Sequence, residues 1–90
     1  MKIENKLVKL GFNPRYKGFE YLIDCINYIK ESRNYNAKLI DDIYCFVIKK
    51  YDITISSIER CIRTLREKCT NKKYRDMVNS EMIKLLAVTI

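Results

Sequence analysis

The sequence predicts an all-α fold, a compact bundle of about five helices in a single domain spanning residues 1–90. Apolar residues recur at spacings of three and four along the whole chain, which is the period of an amphipathic helix. Two Gly and one Pro are too few for the many tight turns of a β-sandwich or β-barrel. Ninety residues, 48% of them hydrophobic and 32% charged, are enough for one small core and a charged surface.

Turn-forming residues bound the first two helices. Gly11 predicts the end of a short first helix, since a positive φ is favourable for glycine just past a C-terminus. Asn13 and Pro14 predict the start of the second helix, as N-cap and first residue, and this helix extends to about Arg33. Gly18 weakens a helix and so indicates that another backbone passes close by. The apolar faces of these two helices hold Ile3, Leu7 and Leu10, then Phe19, Leu22, Ile23, Ile26 and Ile29.

Polar caps also predict the later helices. Asn36 is the expected N-cap of a third helix, and the segment from Ser56 to Glu59 fits a capping box, in which the Glu reaches back to the N-cap amide. After a polar stretch at residues 70–76, Asn79 or Ser80 is expected to cap a short last helix. The apolar faces of the third and fourth helices hold Ile40, Ile43, Val47 and Tyr51, then Ile58, Cys61, Ile62, Leu65 and Cys69.

The segment from Val47 to Arg63 has the spacing of a helix-turn-helix. Asp52 stands where the turn needs a residue that tolerates a positive φ, and Ile53 would be the apolar plug. Ile48 is bulkier than the small residue expected where the two helices face each other. The alternative is a plain helical hairpin, because the same apolar spacing serves any core.

Basic residues concentrate in one window of the chain. The protein carries 18 Lys and Arg against 11 Asp and Glu, a net charge of +7. Residues 60–75 contain seven basic residues and one acid, Glu67, so this window alone has a net charge of +6. Such a field indicates a polyanionic partner, either nucleic acid or an anionic membrane surface, although a merely solubilising surface is the alternative. The Tyr-rich core-like pattern and the short helices favour neither RNA nor a membrane surface.

The fourth helix is predicted to be a recognition helix, at about residues 56–69, in the major groove of double-stranded DNA. Arg binds guanine edges, Glu accepts from cytosine, and Ser and Thr suit bases or phosphates. Glu59 has alternative roles as a cap or as a partner of Arg63 at i,i+4. The predicted base-reading residues are Ser57, Glu59, Arg60, Arg63 and Thr64. The predicted phosphate-binding residues are Thr54, Ser56, Lys68, Lys72, Lys73 and Arg75.

Composition argues against an enzyme and against a metal or cofactor site. The chain has no His and its four Cys form no Cys-x-x-Cys pair, so the common zinc patterns and the usual neutral-pH general base are missing. No glycine-rich phosphate loop is present. The N-terminus has no signal-peptide core and no apolar run is long enough to span a membrane. A reducing cytoplasm is the expected compartment.

The last helix is unusually apolar. From Met82 to Ile90 only Lys84 and Thr89 are not apolar, whereas a surface helix of a small domain shows a polar face. Part of this apolar surface is expected in the core and the rest against a second subunit. The predicted dimer or partner residues are Met82, Ile83, Leu85, Leu86 and Ile90.

Three blocks of the sequence resemble a known family. They are Leu10-Gly11 with Lys17-Gly18-Phe19, Tyr21-Leu22 and Cys25-Ile26; then Lys49-Lys50-Tyr51 with Ser56, Ile58-Glu59-Arg60 and Ile62-Arg63; then Asn79 to Ile83. This pattern resembles the C-terminal DNA-binding domain of the stage-zero sporulation response regulator of endospore-forming bacteria. The resemblance implies a helical effector domain that binds promoter DNA, pairs on it, and begins its recognition helix near Ser56.

The departures from the family refine this expectation. Ser57 stands where the family has Arg, and Thr64 where it has His, which puts the family's DNA preference in question. The segment from Asn71 to Val78 is expected to be too short for the family's further helix, which contacts RNA polymerase. We also expect no receiver domain before residue 1. These features predict a dimeric or tandem regulator that represses or competes more readily than it activates. The alternative is a protein-interaction module that pairs with a full-length sporulation-type regulator and antagonises it.

Overall fold

Helices account for the regular structure of the chain. The computed structural model describes residues 2–36 and 38–90, and of Ile40 only the backbone; the predicted core role of its side chain therefore lies outside the described residues. Within these ranges no strand occurs, and the all-α prediction is confirmed. The helices are α1 (Ile3–Lys9), α2 (Lys17–Ser32), a π-helical segment (Leu39–Tyr44), α3 (Cys45–Tyr51), α4 (Ile55–Glu67), α5 (Lys72–Arg75) and α6 (Asn79–Thr89).

The junction between α1 and α2 corrects one predicted boundary. Gly11 follows α1 with a φ of 105°, as predicted for a glycine past a helix end. However, Asn13 does not cap α2, because its Oδ1 accepts a hydrogen bond from the Arg15 amide at 2.9 Å and closes a separate turn. Helix α2 starts only at Lys17, after Tyr16 in extended conformation. Pro14 therefore lies in the connection and not in the helix.

The third predicted helix begins differently from expectation. Asn36 is not its N-cap, because the helical turn starts at Leu39 and is preceded by Lys38. The carbonyl oxygen of Lys38 accepts from the amides of Asp42 and Ile43, at 3.0 and 3.2 Å. The second of these bonds spans five residues, which makes the first turn π-helical before regular α-helix resumes in α3.

The core lies where α2 packs against α4 and α6. Gly18 sits at the tightest point of this packing, because a Cβ atom there would overlap the backbone carbonyl of Cys61 on α4. The predicted close approach at Gly18 is confirmed. Among the fully buried side chains are Leu22, Ile26, Ile58, Ile62, Leu65, Met82, Ile83 and Leu86. Helix α4 is thereby fixed to the body of the domain along one side only.

The C-terminal part departs from the prediction at two points. The segment from Asn71 to Val78 contains one helical turn, α5, capped by the Asn71 side chain, which accepts from the Lys73 amide at 3.0 Å. Helix α6 begins at Asn79, and Val78 occupies the N-cap position. Asn79 is itself buried, so its amide has a partner elsewhere than the helix end. In the part of the chain that the structure describes, no helix is both long and apolar enough to cross a membrane.

Candidate nucleic-acid interface

A tight connection of residues 52–54 joins α3 to α4. Asp52 adopts the left-handed conformation, with φ 54° and ψ 52°, as predicted for this position. The amide of Ile53 donates to the Ile48 carbonyl at 3.2 Å, and so does the Asp52 amide. This bonding closes the end of α3 in a Schellman-type turn. Ile53 packs against the core as the predicted apolar plug, and α4 begins two residues later, at Ile55.

Helix α4 begins with a different cap from the predicted one. Thr54 is the N-cap, and its Oγ1 accepts from the Ser57 amide at 3.1 Å. The capping box at Ser56 and Glu59 is therefore wrong, because the chain already turns helical at Ile55. Because Thr54 caps the helix, the Ser56 hydroxyl has no capping role, and it is exposed.

One side of α4 faces outward with basic and hydroxyl side chains. At about 100° per residue, Ser56, Arg60 and Arg63 lie opposite the buried stripe of α4, and all three are exposed. Ser57 and Thr64 lie at the edge of this surface and are half-buried. Within the described ranges the one ion pair joins Lys50 and Asp24 at 2.9 Å, so Arg60 and Arg63 have no carboxylate partner within 4.0 Å.

Glu59 lies at another edge of α4, turned towards α6. Its Oε1 accepts from the Asn79 side-chain amide at 2.7 Å, and the same nitrogen donates to the Glu59 backbone carbonyl at 3.0 Å. Asn79 in turn accepts from Arg66 Nε at 3.0 Å. Glu59 is neither a helix cap nor an ion-pair partner of Arg63. Together Glu59, Arg66 and Asn79 form a polar network that ties α4 to α6.

The side chain of Tyr44 lies near the Glu59 carboxylate of this network. It is completely buried, and its hydroxyl has no hydrogen-bond partner among the residues that the structure describes. Burial raises the pKa of Tyr44, and the nearby Glu59 carboxylate raises it further. The hydroxyl therefore stays protonated across the physiological range. Tyr44 therefore supports this edge of α4 by packing and not by a hydrogen bond.

The remaining predicted phosphate contacts lie at the C-terminal end of α4 and on α5. Lys68, Lys72 and Lys73 are exposed, and Lys73 Nζ lies 5.8 Å from the centre of the Tyr74 ring. Arg75 is partly engaged, since its guanidinium donates to the Cys69 carbonyl at 2.8 Å. Arg66 Nη1 holds the Arg75 carbonyl at 2.7 Å. The C-terminal part of the basic window thus lies beyond the end of α4, and two of the window's arginines, Arg66 and Arg75, hold α5.

The start of α2 lines a cleft beside the outward side of α4, which the sequence reasoning missed. The cleft has a volume of about 520 Å³ and lies between residues 16–18 and the first three turns of α4, including Ser57, Arg60 and Thr64. Lys17 is exposed in this wall. The signal available in the sequence was Gly18, which indicated a close backbone but not which helix supplied it.

Comparison with known protein families shows which family the chain belongs to. The model of the family described as "Sporulation initiation factor Spo0A C terminal" matches residues 3–90. The chain belongs to this family. Its members are DNA-binding domains of sporulation regulators, so the predicted resemblance and the predicted role in DNA-binding transcription regulation are confirmed. No solved structure matches the chain.

The predicted partner surface on α6 of this Spo0A C-terminal domain is largely inside the domain. Met82, Ile83 and Leu86 are fully buried against α2 and α4, so they are core residues and the expectation that they contact a partner is wrong. Leu85 and Ile90 are half-buried. The most exposed apolar side chain of α6 is Val88, at 69%. Helix α6 is rich in apolar residues because it packs against both α2 and α4.

Proposed function

We propose that this Spo0A C-terminal domain binds double-stranded DNA sequence-specifically by inserting α4 into the major groove. The observation that carries the proposal is the exposed pair Arg60 and Arg63, which lie three residues apart on one side of α4 without a carboxylate partner. Free guanidinium groups on a helix that projects from a tight turn suit the O6 and N7 atoms of guanine.

The other residues of α4 divide into two roles in this proposal. Ser57 and Thr64 read or brace bases at the edge next to the cleft, since hydroxyls pair with either base type. Glu59 positions α4, because Asn79 already holds its carboxylate on the side facing α6. The other carboxylate oxygen of Glu59 is the atom that would have to accept a hydrogen bond from a cytosine amine.

Phosphate contacts flank these bases. Ser56 and Thr54 lie at the start of α4, where the first amides also face the surface. Lys68, Lys72 and Lys73 lie beyond its C-terminal end, where their exposed ammonium groups reach the backbone. Arg75 keeps guanidinium donors beyond the one that bonds Cys69. These contacts fix the position of the domain on DNA without reading sequence.

A salt series on duplex DNA tests the proposal. Binding should weaken linearly in log affinity against log salt concentration, with a slope of about −0.9 for each phosphate contact. Arg60→Ala should lower affinity for the preferred site by ~1–3 kcal/mol and relax discrimination at one base pair. Arg60→Lys keeps the charge but loses the planar fork, so it should relax discrimination with less change in salt slope.

A matched control is Arg33→Ala, which removes an exposed arginine at the far end of α2. It should leave affinity nearly unchanged. Absence of binding to any duplex at low salt would refute the proposal.

We infer further that two copies bind in tandem or as a pair, and that binding represses or competes. The support for pairing is the exposed side chain of Val88 on α6, next to the half-buried Leu85. The support for repression is that residues 71–78 hold a single helical turn. Light scattering of the complex with a duplex gives the number of copies bound. If Arg60→Ala abolishes DNA binding but regulation in cells persists, the domain instead acts by antagonising a full-length regulator.

A further inference from the structure

We propose that Lys17, at the start of α2, contacts the DNA backbone, and that the cleft between α2 and α4 holds the sugar–phosphate segment that borders the major groove. This inference rests on the proposed function and adds to α4 a second element that touches DNA. It assigns a binding role to a residue outside the basic window of residues 60–75.

The position of Lys17 follows from the packing of Gly18. Gly18 lies against the Cys61 carbonyl so closely that any side chain there would overlap it. The residue before it is therefore held beside the middle of α4, within the same cleft as Arg60.

The chemistry of the cleft suits a phosphodiester. Lys17 and Arg60 stand on its two walls, and Ser57 and Thr64 add hydroxyl groups. None of the described residues that line the cleft carries a carboxylate. Lys17, like Arg60, has no ion-pair partner within 4.0 Å in residues 2–36 and 38–90. A site with two free cations, hydroxyl donors and no acid is complementary to an anion that also presents apolar sugar surface.

The position of the cleft on α4 also indicates which of the two DNA strands would enter it. On α4, Thr64 and Ser57 lie at the edge nearest α2, whereas Arg63 lies at the opposite edge. The strand that borders the groove on the Thr64 side is therefore the one whose backbone enters the cleft. Arg63 would approach the other strand.

Lys17→Ala tests this contact through the salt dependence of binding. Loss of one phosphate contact reduces the salt slope by about 1, which corresponds to a roughly eightfold loss of affinity at 0.1 M salt that vanishes on extrapolation to 1 M. The loss should be equal for preferred and unrelated duplexes, because phosphates carry no sequence information.

The matched control is Lys30→Ala, which removes the same charge from the same helix about 20 Å farther along its axis. It should change affinity less than twofold at ~0.1 M salt, because charges beyond the Debye length of about 10 Å are largely screened.

Cysteine alkylation gives an independent measurement on the wild-type protein. Cys61 lines the cleft and is half-buried. Cys45 is also half-buried but does not line the cleft, and Cys25 and Cys69 are buried. Saturating duplex DNA should slow modification of Cys61 by N-ethylmaleimide severalfold and leave Cys45 unchanged. Equal modification rates at Cys61 with and without DNA would overturn the inference.

The two proposals fail in distinguishable ways. If Arg60→Ala weakens binding but Lys17→Ala matches Lys30→Ala, α4 reads DNA and the cleft stays outside the complex. If the wild-type protein binds no duplex, the proposed function itself is wrong. If Lys17→Ala changes sequence preference instead of the salt slope, Lys17 contacts bases and the assignment to the backbone is wrong.

Discussion

Helices α4 and α6 are similar in length but differ in how their apolar and polar residues are distributed. Helix α4 buries Ile58, Ile62 and Leu65 and exposes arginines and hydroxyls on its other side. Helix α6 is apolar around most of its circumference, and its central residues fill the space beside α2 and α4. Helix α4 is therefore packed along one side and keeps its arginines accessible on the other, whereas α6 is a core helix that packs against it.

Asn79 of α6 is hydrogen-bonded to two residues of α4. Its side chain donates to Glu59 and accepts from Arg66, so it satisfies one residue of each charge on the inner edge of α4. Buried polar groups in such a network favour one relative orientation of the elements they join. The outward direction of Arg60 and Arg63 therefore depends on a residue of α6.

The largest expected effect comes from the middle of α6. Leu86→Ala removes a fully buried side chain and should lower the free energy of unfolding by about 2–5 kcal/mol, because both apolar burial and packing are lost. Urea denaturation measures it. Val88→Ala, at 69% exposure, is the control and should change stability by less than ~0.5 kcal/mol. An unchanged stability of Leu86→Ala with an altered oligomeric state would make α6 a partner surface after all.

The next largest effect comes from the network between the two helices. Asn79→Ala leaves the Glu59 carboxylate without its side-chain partner and removes one of the two hydrogen bonds of the Arg66 guanidinium, which should cost ~1–3 kcal/mol of stability. Asn79→Asp should destabilise the fold at neutral pH, because two carboxylates then face each other. This penalty should shrink as pH falls and one carboxyl gains a proton. Urea denaturation at two pH values checks the sign.

Several local features could be predicted because single residues determine them. Gly11 and Asp52 adopt positive φ because their residue types tolerate it better than most. Gly18 marks a backbone contact because only a missing side chain permits one. The amphipathic stripe of α4 indicated both its buried and its exposed side. None of these inferences required knowing which distant segment is the neighbour.

The incorrect predictions share a different cause. Thr54, Ser56 and Ser57 are all good N-caps, and the choice of Thr54 depends on where the Asp52 turn ends. Asn13 caps no helix because its side chain satisfies a nearer amide. The burial of α6 and the position of Lys17 depend on tertiary packing, which no local pattern encodes.

Arg63 and Arg66 lie on different sides of α4, so replacing each of them by Ala tests whether the two sides have different roles. Arg63 is exposed, so Arg63→Ala should leave stability unchanged and weaken binding to the preferred duplex by ~1–3 kcal/mol. Arg66 bonds Asn79 and the Arg75 carbonyl, so Arg66→Ala should lower stability by ~1–3 kcal/mol. Urea denaturation and fluorescence anisotropy with labelled duplex measure both quantities. Equal profiles for the two variants would mean that the two sides of α4 are not functionally distinct.

The smallest effect on the fold is expected at the edge of α4 beside the cleft. Ser57→Arg introduces the residue that the family resemblance implies at this position, and the backbone amide that bonds Thr54 is retained. Because the side chain lies at the rim of the cleft, stability should change by less than ~0.5 kcal/mol. We expect tighter DNA binding and a shift in preference towards the family's site, measured by selection from a random duplex library. Ser57→Lys is the control, since it adds the charge without the planar fork and should raise affinity with little change in preference. If Ser57→Arg and Ser57→Lys select the same sequences as the wild type, α4 docks in a different register and the base-reading roles transferred to Arg60 and Arg63 do not hold.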